Sequence, residues 1–370
     1  ESLKNTTLQV DPAIKSSFKN LTPNTIHRLL KPIPDSIHFK HNVSNPLPYD
    51  VLIIDEASMI DVALFAKLLD AVSSNTRVIL LGDKNQLASV EAGSLFGDLC
   101  KALEQNNQFS PSSAEFINQF IPDLDRKISV DYIVQVNHPL AEHVIELKRS
   151  HRFSSMSGIG KLSHAIIHND EKILKDFIAD KGDVSIEFDL TSDESIFENF
   201  IDGYKEYILE KDISKALEKF NKLRVLCAVR EGADGLYAIN KMIEQYLSKH
   251  NMIKSKGDFY ENRPIIITRN YKELKLFNGD IGIIRKDANG NLRAYFEDSE
   301  KNIRAIMPVY ISDAETVFAM TIHKSQGSEY NKVMVVLPKK SSGHLLTREL
   351  FYTAVTRAKE SVIIDRKSVV

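Results

Sequence analysis

The stretch VLIIDEASMID, residues Val51–Asp61, decides which fold class this sequence predicts. It opens with four apolar residues in a row, and the carboxylates Asp55 and Glu56 follow them directly. An unbroken apolar run of this length is typical of a strand that is buried on both faces of a parallel sheet. Ligands of doubly wound sheets bind beyond the carboxyl ends of such strands. The stretch therefore predicts an α/β fold with a ligand site at Asp55 and Glu56.

Two adjacent carboxylates in this place favour nucleotide hydrolysis. One can hold Mg²⁺ while its neighbour orients a water for attack on a phosphate. The usual phosphate-binding partner of such a pair, G-x-x-x-x-G-K-[ST], does not occur in the 370 residues. The nearest approximation, Gly160-Lys161-Leu162-Ser163, lacks the upstream Gly and a Ser or Thr directly after the Lys. The alternative for Asp55 and Glu56 is a pair of acids that cap the helical turn around Ser58.

The composition is that of an ordinary globular protein with room for two domains. Of the 370 residues, 43% are apolar and 26% are charged, and the net charge of −2 excludes a global basic field. Any nucleic-acid binding must therefore use a local groove. The two cysteines, Cys100 and Cys227, are expected to be reduced, buried thiols of a cytoplasmic protein, and the alternative is a disulfide. No signal peptide and no apolar stretch approaching 18 residues occur, which predicts a cytoplasmic protein without a membrane role.

Two regions of alternating helix and strand patterns are expected. The first begins at Tyr49 and includes a helix at Val62–Val72, with Asp61 as its N-cap, and a buried strand at Arg77–Gly82. The second begins with a strand at Leu223–Val229 and a helix at 234–248. Its later strands are expected at 316–320, 332–337 and 361–364, with a helix at 347–358.

The segments between these regions have other patterns. Strands at 263–269, 281–285, 292–296 and 303–308 are separated by Asn-Gly turns and resemble a small β-barrel inserted over 258–312. Residues 104–140 lose the periodicity and are predicted to be a surface excursion. A short helix is expected at Thr25–Leu30, before the first strand.

Several polar segments follow predicted strands or helices. Gln86, in LGDKNQ, could hydrogen-bond a γ-phosphate, and the alternative is a polar turn. The stretch TIHKSQGSE, Thr321–Glu329, offers hydroxyls and amides suited to phosphates. Arg357, at the end of a predicted helix, could act as an arginine finger, and the alternative is an interaction with the helix C-terminus. Arg152, in the loop Ser150–Phe153, does not by itself indicate a function.

In this order, the segments resemble the motifs of the RecD subunits of bacterial exodeoxyribonuclease V (RecBCD), which are superfamily 1B DNA helicases. The segments that match are DEASMID, LGDKNQLASVEAG, LKRSHRF, CAVREGADG, TIHKSQGSE and YTAVTRAK. FNGDIG is similar to a turn in the inserted SH3-like domain of the family. The resemblance spans 21–103 and 145–365. Because the chain lacks the family's phosphate-binding loop and a starting Met, we expect a truncated piece that binds nucleotide weakly or not at all.

The resemblance implies a definite architecture. It predicts two RecA-like P-loop NTPase motor domains with parallel sheets, plus a small inserted SH3-like β-barrel. The implied divisions are 1–150 for the first motor domain without its Walker A part, 151–257 for the start of the second, 258–312 for the insert and 313–370 for the rest of the second.

The resemblance also implies a role for each motif residue, with ATP and Mg²⁺ as cofactors. Asp55 would coordinate Mg²⁺, Glu56 would activate the attacking water, and Gln86 would sense the γ-phosphate. The other contacts to the nucleotide would be Arg152 and Arg357 at the triphosphate, Gly82 and Asp83 beside it, and Gly327 and Glu329 near the ribose. The implied contacts to single-stranded DNA are Thr25, His27, Thr321, His323, Lys324 and Ser325.

The implied function is an ATP-dependent 5′–3′ helicase subunit that acts on DNA ends in double-strand break repair, with RecB- and RecC-like partners. Two alternatives stay open. One is a stand-alone superfamily 1B helicase, and the other is a non-catalytic DNA-binding scaffold with a helicase fold. The missing phosphate-binding loop favours the scaffold, whereas the joint presence of Asp55, Glu56, Gln86, Arg152 and Arg357 argues against it.

Overall fold

The computed structural model describes residues 16, 21, 23–88, 95–148, 158–179, 183–190, 193–298, 300–338 and 346–366. They fall into two compact units. Unit 1 takes in the described parts of 1–84 and 88–145, and unit 2 takes in 85–87 and the described parts of 146–370.

Unit 1 is built on a two-stranded parallel sheet of β1 (Val51–Ile54) and β2 (Arg77–Leu80). The helix between them, α2 (Val62–Asp70), begins where predicted, because the Asp61 carboxylate accepts a hydrogen bond from the Leu64 N–H at 2.8 Å. The other helices of this unit are α1 (Ile26–Leu30), α3 (Leu95–Lys101) and α4 (Pro111–Asn118).

The prediction that β1 is buried on both faces is wrong for the described residues. Leu52 and Ile54 are buried, but Val51 and Ile53 are 51% and 44% exposed. The buried face packs on Phe65 of α2 and on α3, in one apolar cluster with Leu30 and Leu68. The opposite face of β1 has no such cover in the described part of unit 1. An apolar run identifies a strand, but it does not tell how many of its faces are covered.

Residues 104–140 contain more order than predicted. The helix α4 starts at Pro111 because the Ser110 hydroxyl accepts from the Ser113 N–H at 3.2 Å. Two single-turn 3₁₀ helices follow, at Leu124–Arg126 and Val130–Tyr132. Most residues of this segment are exposed, as expected of a surface excursion, but the segment contains helical turns that its lack of periodicity did not predict.

Glu142 anchors the start of α4, and its protonation gives a testable prediction. Its carboxylate accepts hydrogen bonds from the Ser110 hydroxyl and from the Ser110 N–H (2.7 Å), which lowers its pKa from 4.5 to about 2. Because the folded-state pKa is the lower one, the stabilisation is complete above pH 4.5 and is lost as the pH falls towards about 2. We expect an NMR titration of Glu142 to show a midpoint near 2. Glu142→Gln should remove this part of the acid dependence of unit 1, whereas Glu115→Gln, the matched control on α4, should not. A midpoint near 4.5 would contradict the anchoring role.

Unit 2 contains a five-stranded parallel sheet in the order β10-β4-β11-β12-β3. Its strands are β3 (Ile186–Asp189), β4 (Leu223–Cys227), β10 (Ala319–Thr321), β11 (Tyr330–Leu337) and β12 (Ala358–Arg366). Every residue of β4 is buried, as expected of a central strand covered on both faces. The predicted α/β class with parallel sheets is confirmed. The helices of this unit are α5 (Gly158–His168), α6 (Glu171–Ala179), α7 (Glu194–Asp202), α8 (Lys205–Leu209), α9 (Ile213–Phe220), α10 (Leu236–Lys249) and α11 (Arg348–Val355).

The second sheet of unit 2 is antiparallel, in the order β8-β7-β6-β5-β9. Its strands are β5 (Pro264–Ile267), β6 (Ile281–Lys286), β7 (Leu292–Glu297), β8 (Ile303–Ile306) and β9 (Ala314–Thr316). Among the described residues β8 and β9 are not paired with each other, so an SH3-like barrel stays a prediction. The predicted parallel strand at 316–320 is shifted, because Thr316 belongs to the antiparallel ladder and β10 begins only at Ala319.

Three buried polar side chains hold the junction between these two sheets, and we call Tyr204, Arg224 and Asn240 the junction clamp. Arg224 donates to the Val317 carbonyl at 2.5 Å, and Tyr204 donates to the Phe318 carbonyl at 2.7 Å. The Asn240 side chain bonds both the N–H and the carbonyl of Ala319, at 2.9 and 3.1 Å. The guanidinium of Arg224, which is fully buried, packs 4.1 Å from the ring centre of Phe220.

Candidate functional site

The parallel pairing of β1 and β2 brings four of the predicted site residues to one edge of unit 1. Ile54 is opposite Leu80, and the ladder continues through bonds of 2.8 Å from the Leu81 N–H to Ile54 and from the Ala57 N–H to Leu81. Asp55 and Glu56 therefore leave the sheet beside Gly82 and Asp83. This is the carboxyl edge, where doubly wound sheets bind their ligands.

Glu56 occupies a backbone conformation that is rare for a residue with a side chain. Its φ of +52° lies in the left-handed region, and the Asp55 carboxylate accepts a hydrogen bond from the Glu56 N–H at 3.0 Å. A left-handed non-glycine residue costs about 1–2 kcal/mol and is typical of functional turns. Asp55 thus has a contact with the backbone of the turn, and Glu56 directly precedes the 3₁₀ turn at Ala57–Met59.

The donor set at this edge fits a magnesium ion that arrives with a nucleotide. Asp55 is exposed at the strand end, and Mg²⁺ usually binds one or two carboxylates together with substrate phosphates and water. No group of three or more His, Cys, Asp or Glu side chains that could hold a metal ion occurs in the described ranges.

Gly82, a predicted nucleotide contact, has a packing reason to be glycine. A Cβ on Gly82 would lie 3.0 Å from the ring of Phe96 and 3.2 Å from the Ser58 N–H. A side chain at this position would press on α3 and on the 3₁₀ turn, so glycine favours the close approach of the strand end. A direct contact of Gly82 with nucleotide stays a prediction.

The loop after β10 contains the residues of unit 2 that are predicted to contact single-stranded DNA. The structure divides them into two pairs. Thr321 and Ser325 are buried: Thr321 accepts from the Lys324 N–H at 3.3 Å, and the Ser325 hydroxyl donates to the Ile322 carbonyl at 2.7 Å. Both side chains therefore shape the loop, and their binding of DNA stays a prediction. His323 and Lys324 are only partly buried. Burial lowers the pKa of His323, so its ring is neutral at pH 7 and can make polar rather than ionic contacts.

Gly327 ends this loop with a φ of +75°, and no atom lies within 4 Å of the place that a Cβ would take. The left-handed backbone, and not a close approach of another part of the chain, therefore favours glycine here. We expect Gly327→Ala to lower the free energy of unfolding of unit 2 by about 1–2 kcal/mol in chemical denaturation. Gly327→Asn should cost less, because Asn tolerates this conformation. Equal losses for both variants would point to a contact with the side-chain position and against the backbone explanation.

Gln86, the predicted γ-phosphate sensor, belongs to unit 2. Its neighbour Leu87 is hydrogen-bonded to two other residues of that unit. The Leu87 N–H donates to the Thr353 hydroxyl, and the Leu87 carbonyl accepts from the Gln326 side chain, both at 2.9 Å. Sequence reasoning assigned no role to Gln326 or Thr353. The available signal was their position inside TIHKSQGSE and YTAVTRAK, the same two motifs that supplied the predicted contacts.

Arg357 is buried, with 2% of its surface exposed. Its Nε donates to the Thr353 carbonyl at 3.1 Å and its Nη1 to the Ser328 carbonyl at 3.2 Å. The guanidinium thus ties the end of α11 to the loop after β10, and its role as an arginine finger stays a prediction. Glu329, predicted near the ribose, pairs with Lys359 at 2.8 Å. Arg152 lies outside the described residues.

The two residues of unit 1 that are predicted to contact single-stranded DNA lie around α1. The Thr25 hydroxyl accepts from the Arg28 N–H at 3.3 Å and caps this helix. The exposed ring of His27 packs edge-on against Phe39, with 5.7 Å between ring centres. These contacts place both residues at the surface of unit 1, and their binding of DNA stays a prediction.

Comparison with known proteins gives a consistent result along the chain. An AAA domain family matches residues 6–92, and the UvrD-like helicase C-terminal domain matches 316–364. The RecBCD enzyme subunit RecD of Mycolicibacterium smegmatis is 35% identical over 366 residues, which cover 96% of this chain and 57% of the relative. That of Haemophilus influenzae is 33% identical over 394 residues, which cover 98% and 59%.

The chain is a relative of the RecD subunits. It spans less than two thirds of the length of the RecD proteins that it matches. The ATP-dependent RecD2 DNA helicase of Deinococcus radiodurans is 26% identical over 341 residues, which cover 92% of this chain and 39% of RecD2. A crystal structure of Pif1 helicase from Bacteroides with ADP-AlF3 and ssDNA is 16% identical, with a TM-score of 0.45, and covers 93% of this chain and 79% of that one. In the part of the chain that the structure describes, no helix is long and apolar enough to cross a bilayer.

Proposed function

We propose that this chain forms motor domains of a RecD-type, ATP-dependent DNA helicase subunit that moves 5′ to 3′ along single-stranded DNA. Its partners would be RecB- and RecC-like subunits of a cytoplasmic helicase–nuclease complex that processes DNA ends. The observation that carries the proposal is the placement of Asp55 and Glu56 beside Gly82 and Asp83 at the carboxyl edge of β1 and β2, in a chain related to RecD along nearly its whole length.

The residues at this edge are suited to ATP hydrolysis. Asp55 would hold Mg²⁺, which would neutralise charge on the β- and γ-phosphates. Glu56, which the left-handed turn sets off from Asp55, would accept a proton from the attacking water. Gln86 has an amide that can donate to or accept from a γ-phosphate, and its neighbour Leu87 is fixed by Thr353 and Gln326.

DNA binding by unit 2 would use the surface around the loop after β10. His323 offers a neutral ring and Lys324 a positive charge, while the buried hydroxyls of Thr321 and Ser325 hold the backbone between them. A contact surface of this kind recognises the sugar–phosphate backbone and not the base sequence. This agrees with a motor that must pass over every sequence.

The proposal is tested by measuring ATP hydrolysis of the natural protein that contains this sequence, with and without single-stranded DNA. We expect hydrolysis to be stimulated by the strand and to depend on Mg²⁺. A folded natural protein that binds single-stranded DNA but hydrolyses no ATP would favour the scaffold. Activity without RecB- or RecC-like subunits, together with strand separation, would favour a stand-alone helicase.

A further inference from the structure

A single carboxylate in unit 2 holds two cations that come from different segments. Glu315, on β9, accepts from Arg230 at 3.0 Å through one oxygen and lies 3.5 Å from the ammonium of Lys324 through the other. Arg230 follows β4 in the segment CAVREGADG, and Lys324 lies in the loop after β10. The antiparallel sheet therefore supplies the anion, and two segments that follow strands of the parallel sheet supply the cations.

The position of Arg230 is fixed by a further neighbour. Its Nη2 and Nε donate to the hydroxyl of Tyr237, at 2.6 and 3.2 Å, and its guanidinium lies 5.4 Å from the Tyr237 ring centre. Tyr237 is on the first turn of α10. The guanidinium is thus held in place from two sides, while 46% of its side chain remains exposed to solvent.

This arrangement is poorly suited to stabilising the fold. The three side chains are 46%, 32% and 28% exposed, and ion pairs at such positions contribute only about 0–1 kcal/mol. One carboxylate also leaves the two cations with an excess positive charge. An exposed, oriented guanidinium beside an ammonium is instead what binds a phosphate, because the guanidinium can donate two parallel hydrogen bonds.

We propose that Arg230 is a further contact to the phosphates of the DNA strand, next to Lys324, and that Glu315 competes with those phosphates for both cations. The proposal rests on the function proposed above and extends its DNA surface to the segment between β4 and α10. Glu315 would keep the cations oriented without DNA and would yield them to a phosphate, which limits the affinity for the strand. A motor that must release and rebind its track gains from such a limit.

The test is the affinity of the natural protein for a fluorescent oligo-dT strand, measured by anisotropy over a series of salt concentrations. Glu315→Gln removes the competing charge and should tighten binding roughly two- to fivefold at low salt, the range expected from the release of exposed ion pairs. Arg230→Gln should weaken binding and make the slope of log K against log salt shallower by about 0.7, the loss of one phosphate contact on a single strand.

Glu261→Gln is the matched control, because it removes the same charge from an exposed pair with Lys286 in the same unit. Glu315→Gln that binds no tighter than Glu261→Gln overturns the competition. Unchanged affinity and salt slope in Arg230→Gln overturn the contact, and this second variant decides the matter if Glu315→Gln does not fold. If the unaltered natural protein binds no strand, the proposed DNA surface fails as a whole, and this inference fails with it.

Discussion

Glu56→Gln in the natural protein is expected to lower strand-stimulated ATP turnover by about 10²–10⁴-fold, the usual contribution of a positioned general base. Gln has the same shape and keeps the Cβ, so the left-handed backbone at φ +52° is equally strained in both proteins. The substitution removes the negative charge of the carboxylate and with it the ability to accept a proton. Turnover is measured as phosphate release with saturating single-stranded DNA.

Binding of single-stranded DNA should be unchanged in Glu56→Gln, because the proposed DNA contacts of unit 2 are other side chains. Glu104→Gln, at an exposed position of the same unit, is the control and should keep full turnover. A loss of less than about fivefold in Glu56→Gln would reject its role as the base.

Arg224→Ala is expected to have the largest effect on stability, about 4 kcal/mol in the free energy of unfolding of unit 2. The side chain is fully buried, donates to the Val317 carbonyl and packs on Phe220. Its loss leaves a cavity and a buried carbonyl that has lost its Arg224 donor. Chemical denaturation monitored at unit 2 measures the change.

Arg224→Met separates the two causes, because Met fills most of the space but donates no hydrogen bond. We expect it to cost about 1–3 kcal/mol, the penalty for the carbonyl alone. Arg293→Ala, which breaks a surface pair with Asp287 at 3.1 Å, is the control and should cost less than about 1 kcal/mol. If Arg224→Ala costs no more than this control, the junction clamp does not hold the fold together.

Local sequence patterns predicted those helices and strands that depend on interactions between residues close together in the chain. The N-cap at Asp61 was predictable because an N-cap bond joins residues three apart. Ser110 followed by Pro111 is a helix start of the same kind, but α4 has only eight residues and a weak apolar face, so its periodicity did not show. The covered faces of β1 could not be predicted, because burial depends on what packs there.

The candidate site was predictable as a set of motifs, but the contacts of its members were not. The position of Arg357 near a helix end was evident, yet its bond to the Ser328 carbonyl joins residues 29 apart. Glu315 is a single acidic residue outside the motifs, so nothing in the sequence indicated a role for it. Its partner Arg230 lies 85 residues away, and only the folded chain brings the two together. Motif membership tells which residues matter, and tertiary structure tells which of them face solvent.

The junction clamp has a mechanical consequence. Only Val317 and Phe318 separate β9 from β10, and both of their carbonyls are held by buried side chains. The connection between the antiparallel sheet and the loop at Thr321–Ser325 is therefore rigid and not a flexible linker. We therefore expect a displacement of that sheet to be transmitted to the loop and not to be absorbed between β9 and β10.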